Sequence, residues 1–198
     1  MGLRLITPPA IEPVTLQEAK DHLRITTSDN DAKITMAIKQ ARQYVEKFLS
    51  RALIDQTWDY YLDAFPTDGD IKMPMPPLIS VESVQYYDTQ GNIHAIDPDS
   101  YYVDNASDPG WIVAQGGFIW PSSLNAVNSV VVRFHAGYVT ADSPPAPAVP
   151  TEINQAILLT LGMFYEYREG VVITQTALPL PLGVQELLIR HRADLGFW

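Results

Sequence analysis

The hydrophobic period of this chain changes at Arg51. Before that residue, Ile34, Ile38, Ala41, Val45, Phe48 and Leu49 recur at the spacing that gathers side chains on one side of a helix. Lys33, Lys39, Gln40, Arg42, Gln43 and Lys47 fall mainly on the other faces. After it, Trp58, Tyr60 and Leu62 alternate with Asp59, Tyr61 and Asp63, the two-residue period of a half-buried strand. Charge follows the same boundary. Residues 1–51 carry eight Lys/Arg against six Asp/Glu, residues 52–140 two against eleven, and residues 141–198 three against six. The middle of the chain is therefore a β-rich, strongly acidic unit set between helical segments.

Local signals refine that outline. Thr15 and Glu18 make the pattern of a capping box, opening a helix that runs to about Arg24. Ser28-Asp29-Asn30-Asp31 places a cap and negative charge at the start of the longer 31–49 helix. In the β unit, strands are expected over Ile79–Tyr87, Ile93–Ile96 and Ser129–His135. A hairpin is expected with Trp111–Ala114 and Phe118–Trp120 flanking Gly116-Gly117. Pro144, Pro145, Pro147 and Pro150 favour extended geometry, a stiff link back to the helical unit. Pro150 suits the opening of the next helix, about 151–168, which should end at Glu169-Gly170.

That helix is apolar on more than one face, with Ile153, Ala156, Ile157, Leu158, Leu159, Leu161, Met163 and Phe164. Such a helix needs cover on most sides, from its own domain or from a neighbouring subunit. Leaving three large apolar side chains exposed would forgo roughly 1.5–3 kcal/mol each, which points to an oligomer. The tail, 171–198, reads as an extended arm through Pro179 and Pro181. A short helix from about Val184 to Arg192 follows, then Phe197-Trp198. The fold class expected is thus α+β: a small helical bundle (1–51 and 141–170), a β-rich antiparallel insertion (52–140) and an extended C-terminal arm.

Several function classes have no support in the residues. The chain of 198 residues has no cysteine, so it has neither disulfides nor a thiolate nucleophile. The apolar run Ala156–Tyr165 is broken by Thr160 and Gly162 and is too short to span a bilayer, so no membrane contact is expected. Met1–Ala10 lacks the basic start and long apolar core of a secretion signal, so synthesis in the cytoplasm is expected. A net charge of −10 argues against wrapping nucleic acid by phosphate neutralisation. His22, His94, His135 and His191 are scattered without metal-ligand spacing. Asp63, Asp68, Gly69 and Asp70 form an acidic turn without EF-hand spacing, better read as solvated acids than as a Ca²⁺ loop. Asp97 and Asp99 flank Pro98 and read as a turn more readily than as a hydrolytic carboxylate pair. Trp58, Tyr60, Tyr61, Tyr86, Tyr87, Tyr101, Tyr102, Trp111 and Trp120 can stack sugars or bases, but aromatics also fill small β cores. No cofactor or metal is expected.

Read in order, a series of segments resembles one family. They are Pro13-Val14-Thr15-Leu16-Gln17-Glu18-Ala19-Lys20-Asp21-His22-Leu23-Arg24, Arg51-Ala52-Leu53-Ile54-Asp55-Gln56-Thr57-Trp58 and Pro76-Pro77-Leu78-Ile79-Ser80-Val81. Val132-Arg133-Phe134-His135-Ala136-Gly137-Tyr138 follows, then Val149-Pro150, Gln155-Ala156-Ile157-Leu158-Leu159 and Tyr165-Glu166-Tyr167-Arg168-Glu169. Together they resemble the head–tail connector (adaptor) proteins of long-tailed bacteriophages and related prophage elements. The resemblance implies a non-enzymatic subunit of the virion neck, made in the bacterial host. It implies a ring, commonly of twelve copies, beneath the portal, extending the DNA channel and meeting the next neck or tail-completion protein. DNA would pass without specific binding, and an acidic channel wall would repel its phosphates.

On this reading ring contacts are expected from Ile157, Leu161 and Phe164 and from Ile38 and Val45 of the 34–49 helix. Portal docking is expected from Leu178, Leu180, Leu182, Leu187, Leu188, Arg190 and Arg192 of the arm. Two rivals stand beside it. One is a carbohydrate- or surface-binding module using the aromatic β unit, tested by glycan binding of residues 52–140. The other is an Asp-dependent hydrolase using Asp97/Asp99 or the 63–70 acids, tested by replacing those acids.

Overall fold

The computed structural model of the chain describes residues 1–67, 69–124, 126–139, 148–166 and 182–193. Four helices make one unit: α1 (Leu16–Leu23), α2 (Asp31–Leu49), α3 (Thr151–Glu166) and α4 (Leu182–Ile189). The capping box forms as the residues predict. Thr15 Oγ1 accepts from the Glu18 N–H at 3.2 Å, and the Glu18 carboxylate accepts from the Thr15 N–H at 2.8 Å. These bonds hold the Glu18 carboxyl below its ordinary pKa, the backbone bond from Thr15 being the larger cause. α2 starts differently from expectation. Asn30 makes no side-chain cap bond, and Asp31, the first helical residue, pairs with Lys20 at 2.8 Å. Pro150 stands one place before α3, its carbonyl accepting from the N–H groups of Ile153 and Asn154 at 3.0 and 3.1 Å.

The helical core is formed by Ile34, Ile38, Ala41, Val45 and Leu49 of α2, Ile153, Ala156, Ile157 and Leu161 of α3, and Val184 and Leu188 of α4. All are buried, as their helical spacing requires. α4 explains why so apolar a helix as α3 is stable in one chain: it covers a side that α1 and α2 leave open. The tail segment expected to reach away from the molecule instead returns, over its helical portion, to its own core.

The second unit is all antiparallel. One sheet has strand order β1-β2-β8-β4-β5, with β1 Gly2–Thr7, β2 Gln56–Leu62, β4 Leu78–Tyr87, β5 Ile93–Ala95 and β8 Val130–Ala136. The other has order β3-β7-β6, with β3 Asp70–Lys72, β6 Tyr101–Asp104 and β7 Trp111–Ala114. Both contribute to one core: Tyr60, Leu62, Val84, Val130, Val132 and Phe134 from the first sheet meet Ile71, Tyr101 and Ile112 from the second. β8 alternates cleanly between buried and half-buried positions, which is why its Val-Val-Val-Arg-Phe-His run is so legible.

Three strands were not expected, and one expected strand does not form. β1 turns the first residues of the chain into an edge strand of the larger sheet, Leu3 facing Tyr60 and Leu5 facing Trp58. β3 and β6 are short and sit on either side of β7. Phe118–Trp120 is not a strand, so the Gly116-Gly117 hairpin is absent and β7 pairs with β3 and β6 instead. Its aromatic side chains pack: Trp120 stacks on Phe65 with centroids 4.8 Å apart and meets Phe118 edge-on at 5.4 Å.

Candidate functional site

The two units are locked where the chain crosses between them. Glu46, on α2, accepts from the Leu53 N–H at 3.0 Å and from the Gln56 side-chain amide at the start of β2. It also pairs with Arg42, whose guanidinium reaches Glu12 at 2.7 Å. Burial raises the Glu46 carboxyl pKa, and the Arg42 charge and these hydrogen bonds oppose the rise. Arg51 ties three segments together. Its guanidinium meets Asp108 at 2.7 Å, donates to the His191 carbonyl after α4, and bonds Tyr138. On the return path the Gly137 N–H donates to the Pro77 carbonyl at 3.0 Å. Gly137 has φ +144°, and an added Cβ would run into the backbone of Ile54. Among the described residues this junction gathers Glu12, Arg42, Glu46, Arg51, Gln56 and Asp108 into connected ion pairs and hydrogen bonds.

The residues expected at subunit contacts are placed as follows. Ile157, Leu161 and Val45 are fully buried and Ile38 is 2% exposed, all inside the chain's own helical core. This corrects the expectation that they face a neighbour, because α1, α2 and α4 already cover that side of α3. Phe164 is half-buried and packs edge-on against Tyr44 at 5.9 Å, so it keeps some surface. In the arm, Leu188 belongs to the same core, another correction, while Leu187 is half-buried and Arg190 and Arg192 are exposed. Leu178, Leu180 and the Leu182 side chain lie outside the described residues.

The candidates for chemistry resolve into structural roles. The Asp97 carboxylate accepts from the Asp99 N–H at 3.0 Å, capping a 3₁₀ turn (Pro98–Ser100) that leads into β6. Asp88 caps the turn before β5 through the N–H groups of Gln90 and Asn92 and pairs with His94, which depresses its carboxyl strongly. His135 lies 3.2 Å from Asp55 on the sheet surface. Asp63 accepts from the Asn128 N–H at 2.9 Å, while Asp68 lies outside the described residues. Among the described residues no three His, Asp or Glu side chains come together as a metal site. Tyr60 and Tyr101 are core residues, and Trp120 donates to the Gly69 carbonyl at the wall of a shallow cleft of about 510 Å³.

What sequence reasoning missed is the edge strand β1; the polar face of α2 was read, but not its exposed apolar residues. β1 is exposed along its whole length at the sheet edge, with Leu3 and Leu5 about two-fifths uncovered. The outer side of α2 carries Lys33, Lys39 and Lys47 beside the exposed Met36 and Tyr44. The signal was present in the helical spacing, since these residues fill the gaps between the buried ones.

The molecule is thus a helical unit joined through a polar junction to a unit of two antiparallel sheets. Residues 13–105 match the model of the family described as phage gp6-like head-tail connector protein. The fold is similar to chains in solved neck structures. One is in the neck of an empty gene transfer agent particle computed with C6 symmetry, TM-score 0.76 at 23% identity. A second is in the virion of the native particle, TM-score 0.75 at 23% identity. A third is in the native neck computed with C12 symmetry, TM-score 0.73 at 22% identity. Each alignment covers 98% of this chain and 96% of the other. At this identity the likeness is one of fold. No curated protein sequence matches the chain.

Proposed function

We propose that this chain is a structural head–tail connector subunit, located in the neck of a tailed-phage-like particle. The observation that carries the reading is the end-to-end fold likeness to neck chains, at TM-score 0.76 over 98% of the sequence. The family match over residues 13–105 supports it from the sequence side. Neck structures computed with C6 and C12 symmetry support assembly of several copies into a closed ring. In that ring the chain extends a DNA channel below the portal and offers its far side to the next neck or tail-completion protein. Arg190 and Arg192, exposed after α4, are the portal-facing cations of this reading, and Phe164 is an edge of the ring contact. Catalysis has no part in it. A surface dominated by acids keeps phosphates from adhering while DNA passes.

Mass photometry and electron microscopy of the purified chain, alone and mixed with the portal protein of the same particle, test the reading. Closed rings, or rings formed on portal, are expected. A chain that stays monomeric at every concentration and ignores portal would refute it.

A further inference from the structure

Two exposed surfaces of this chain are matched in chemistry and opposite in charge. On α2, Lys33, Lys39 and Lys47 line the outer face with Met36, 64% exposed, and Tyr44, 40% exposed. None of the three lysines joins an ion pair among the described residues. Neither acid of α2 itself offsets them, because Asp31 is held by Lys20 and Glu46 is buried. In the β unit, the stretch between Lys72 and Arg133 contains six Asp/Glu and no Lys or Arg. Within it, β5, the 3₁₀ turn and β6 expose Ile93 at 60% and Tyr102 at 59% beside Asp97 and Asp99. Asp97 spends one oxygen on the turn cap, and neither acid has a cation partner among the described residues.

We propose that the outer face of α2 in one copy docks on the 93–104 edge of the next copy, head to tail around the ring. This rests on the ring reading and names its contact. A chain of net charge −10 meets a like-charged copy at a cost wherever acid faces acid. Segregating its unpaired lysines from its acid-only edge creates one orientation in which that cost becomes attraction. Two different, complementary patches on one chain form a heterologous contact, the kind that closes into a ring when the rotation per copy allows. The exposed Met36 and Tyr44 on one side, and Ile93 and Tyr102 on the other, supply the apolar centre that charge alone lacks. A nucleic-acid partner suits the α2 face less well: its lysines stand among exposed apolar residues, Met36 and Tyr44, on a chain whose net charge of −10 repels phosphates.

The test uses the full chain and mass photometry at low and high salt. Lys39→Glu/Lys47→Glu and, separately, Asp97→Lys/Asp99→Lys should each reduce the ring population about tenfold or more, since two attractions become repulsions. The thermal melt of Lys39→Glu/Lys47→Glu should match wild type, because both side chains are exposed. Asp97→Lys/Asp99→Lys also loses the turn cap and should melt slightly lower while remaining folded. The variant carrying all four changes restores opposite charge across the contact and should recover rings. Wild-type rings should weaken in roughly 0.5 M salt, where screening is short-ranged. Rings indifferent to both reversals, or not recovered by the fourfold swap, would overturn this contact while leaving the ring reading intact. Rings intact in the Lys39→Glu/Lys47→Glu chain with retention of duplex DNA lost would overturn it in favour of a nucleic-acid face. A wild-type chain forming no ring even with portal would remove the ring reading itself.

Discussion

Replacing Ile157 by alanine separates a core residue from an interface residue. Ile157 is fully buried among side chains of its own helical unit. The change removes three carbons, a transfer loss of roughly 2.4 kcal/mol at about 0.8 per methylene. A residual cavity of about 50 Å³ adds roughly 1.2 kcal/mol at about 24 cal/mol per Å³. The expected destabilisation is therefore about 3.5 kcal/mol. It should be read by urea unfolding at a dilution where the chain is monomeric, with the midpoint falling and the m-value unchanged. Met36→Ala, at an exposed site, is the control and should stay within about 0.5 kcal/mol. If Ile157→Ala left monomer stability unchanged and instead abolished ring assembly, the assignment of α3 to the chain's own core would be refuted.

Three further outcomes follow from the junction and the caps. Gly137→Ala should cost about 2 kcal/mol or more, because φ there is +144° and the Ile54 backbone occupies the Cβ position; Gly116→Ala, with open space around it, should be near neutral in the same thermal melt. Thr15→Ala should cost about 1 kcal/mol and flatten the acid limb of a stability–pH curve. The depressed Glu18 carboxyl adds stability that is present above its ordinary unfolded value of about 4.3 and is lost as pH falls through the lower folded value. Arg42→Met should cost about 3–5 kcal/mol by stranding the buried Glu46 carboxylate, and Arg42→Met with Glu46→Gln should recover part of that loss in chemical denaturation.

α2 and β8 were legible because a single face of each is buried most deeply, so period locates them. α1 was marked instead by its capping box, and β2 by its alternating aromatic and acidic residues although both of its faces are covered. β1 was not legible. Its residues Gly2–Thr7 are all exposed, so no burial pattern marks them, and only pairing with β2 makes them a strand. β3 and β6 span three and four residues, too short for a period to show. Ile38, Val45, Ile157, Leu161 and Leu188, expected at contacts, lie in the core for a related reason. Apolarity around α3 demands cover, but it does not say whether the cover comes from a sister copy or from α4, and here α4 supplies it. The exposed lysines of α2 were visible at their helical positions, yet their meaning depends on which acids lie nearby in space.

β2 and β8, the strands that open and close the excursion between α2 and α3, are hydrogen-bonded neighbours running from Gln56 opposite Ala136 to Leu62 opposite Val130. From the helices' side the whole excursion therefore starts and finishes at nearly one point. Lengthening or trimming the outlying strands alters how far the molecule reaches without changing the span the helices must bridge. A lineage can thus retune what its outer surface touches while the helical platform keeps its dimensions.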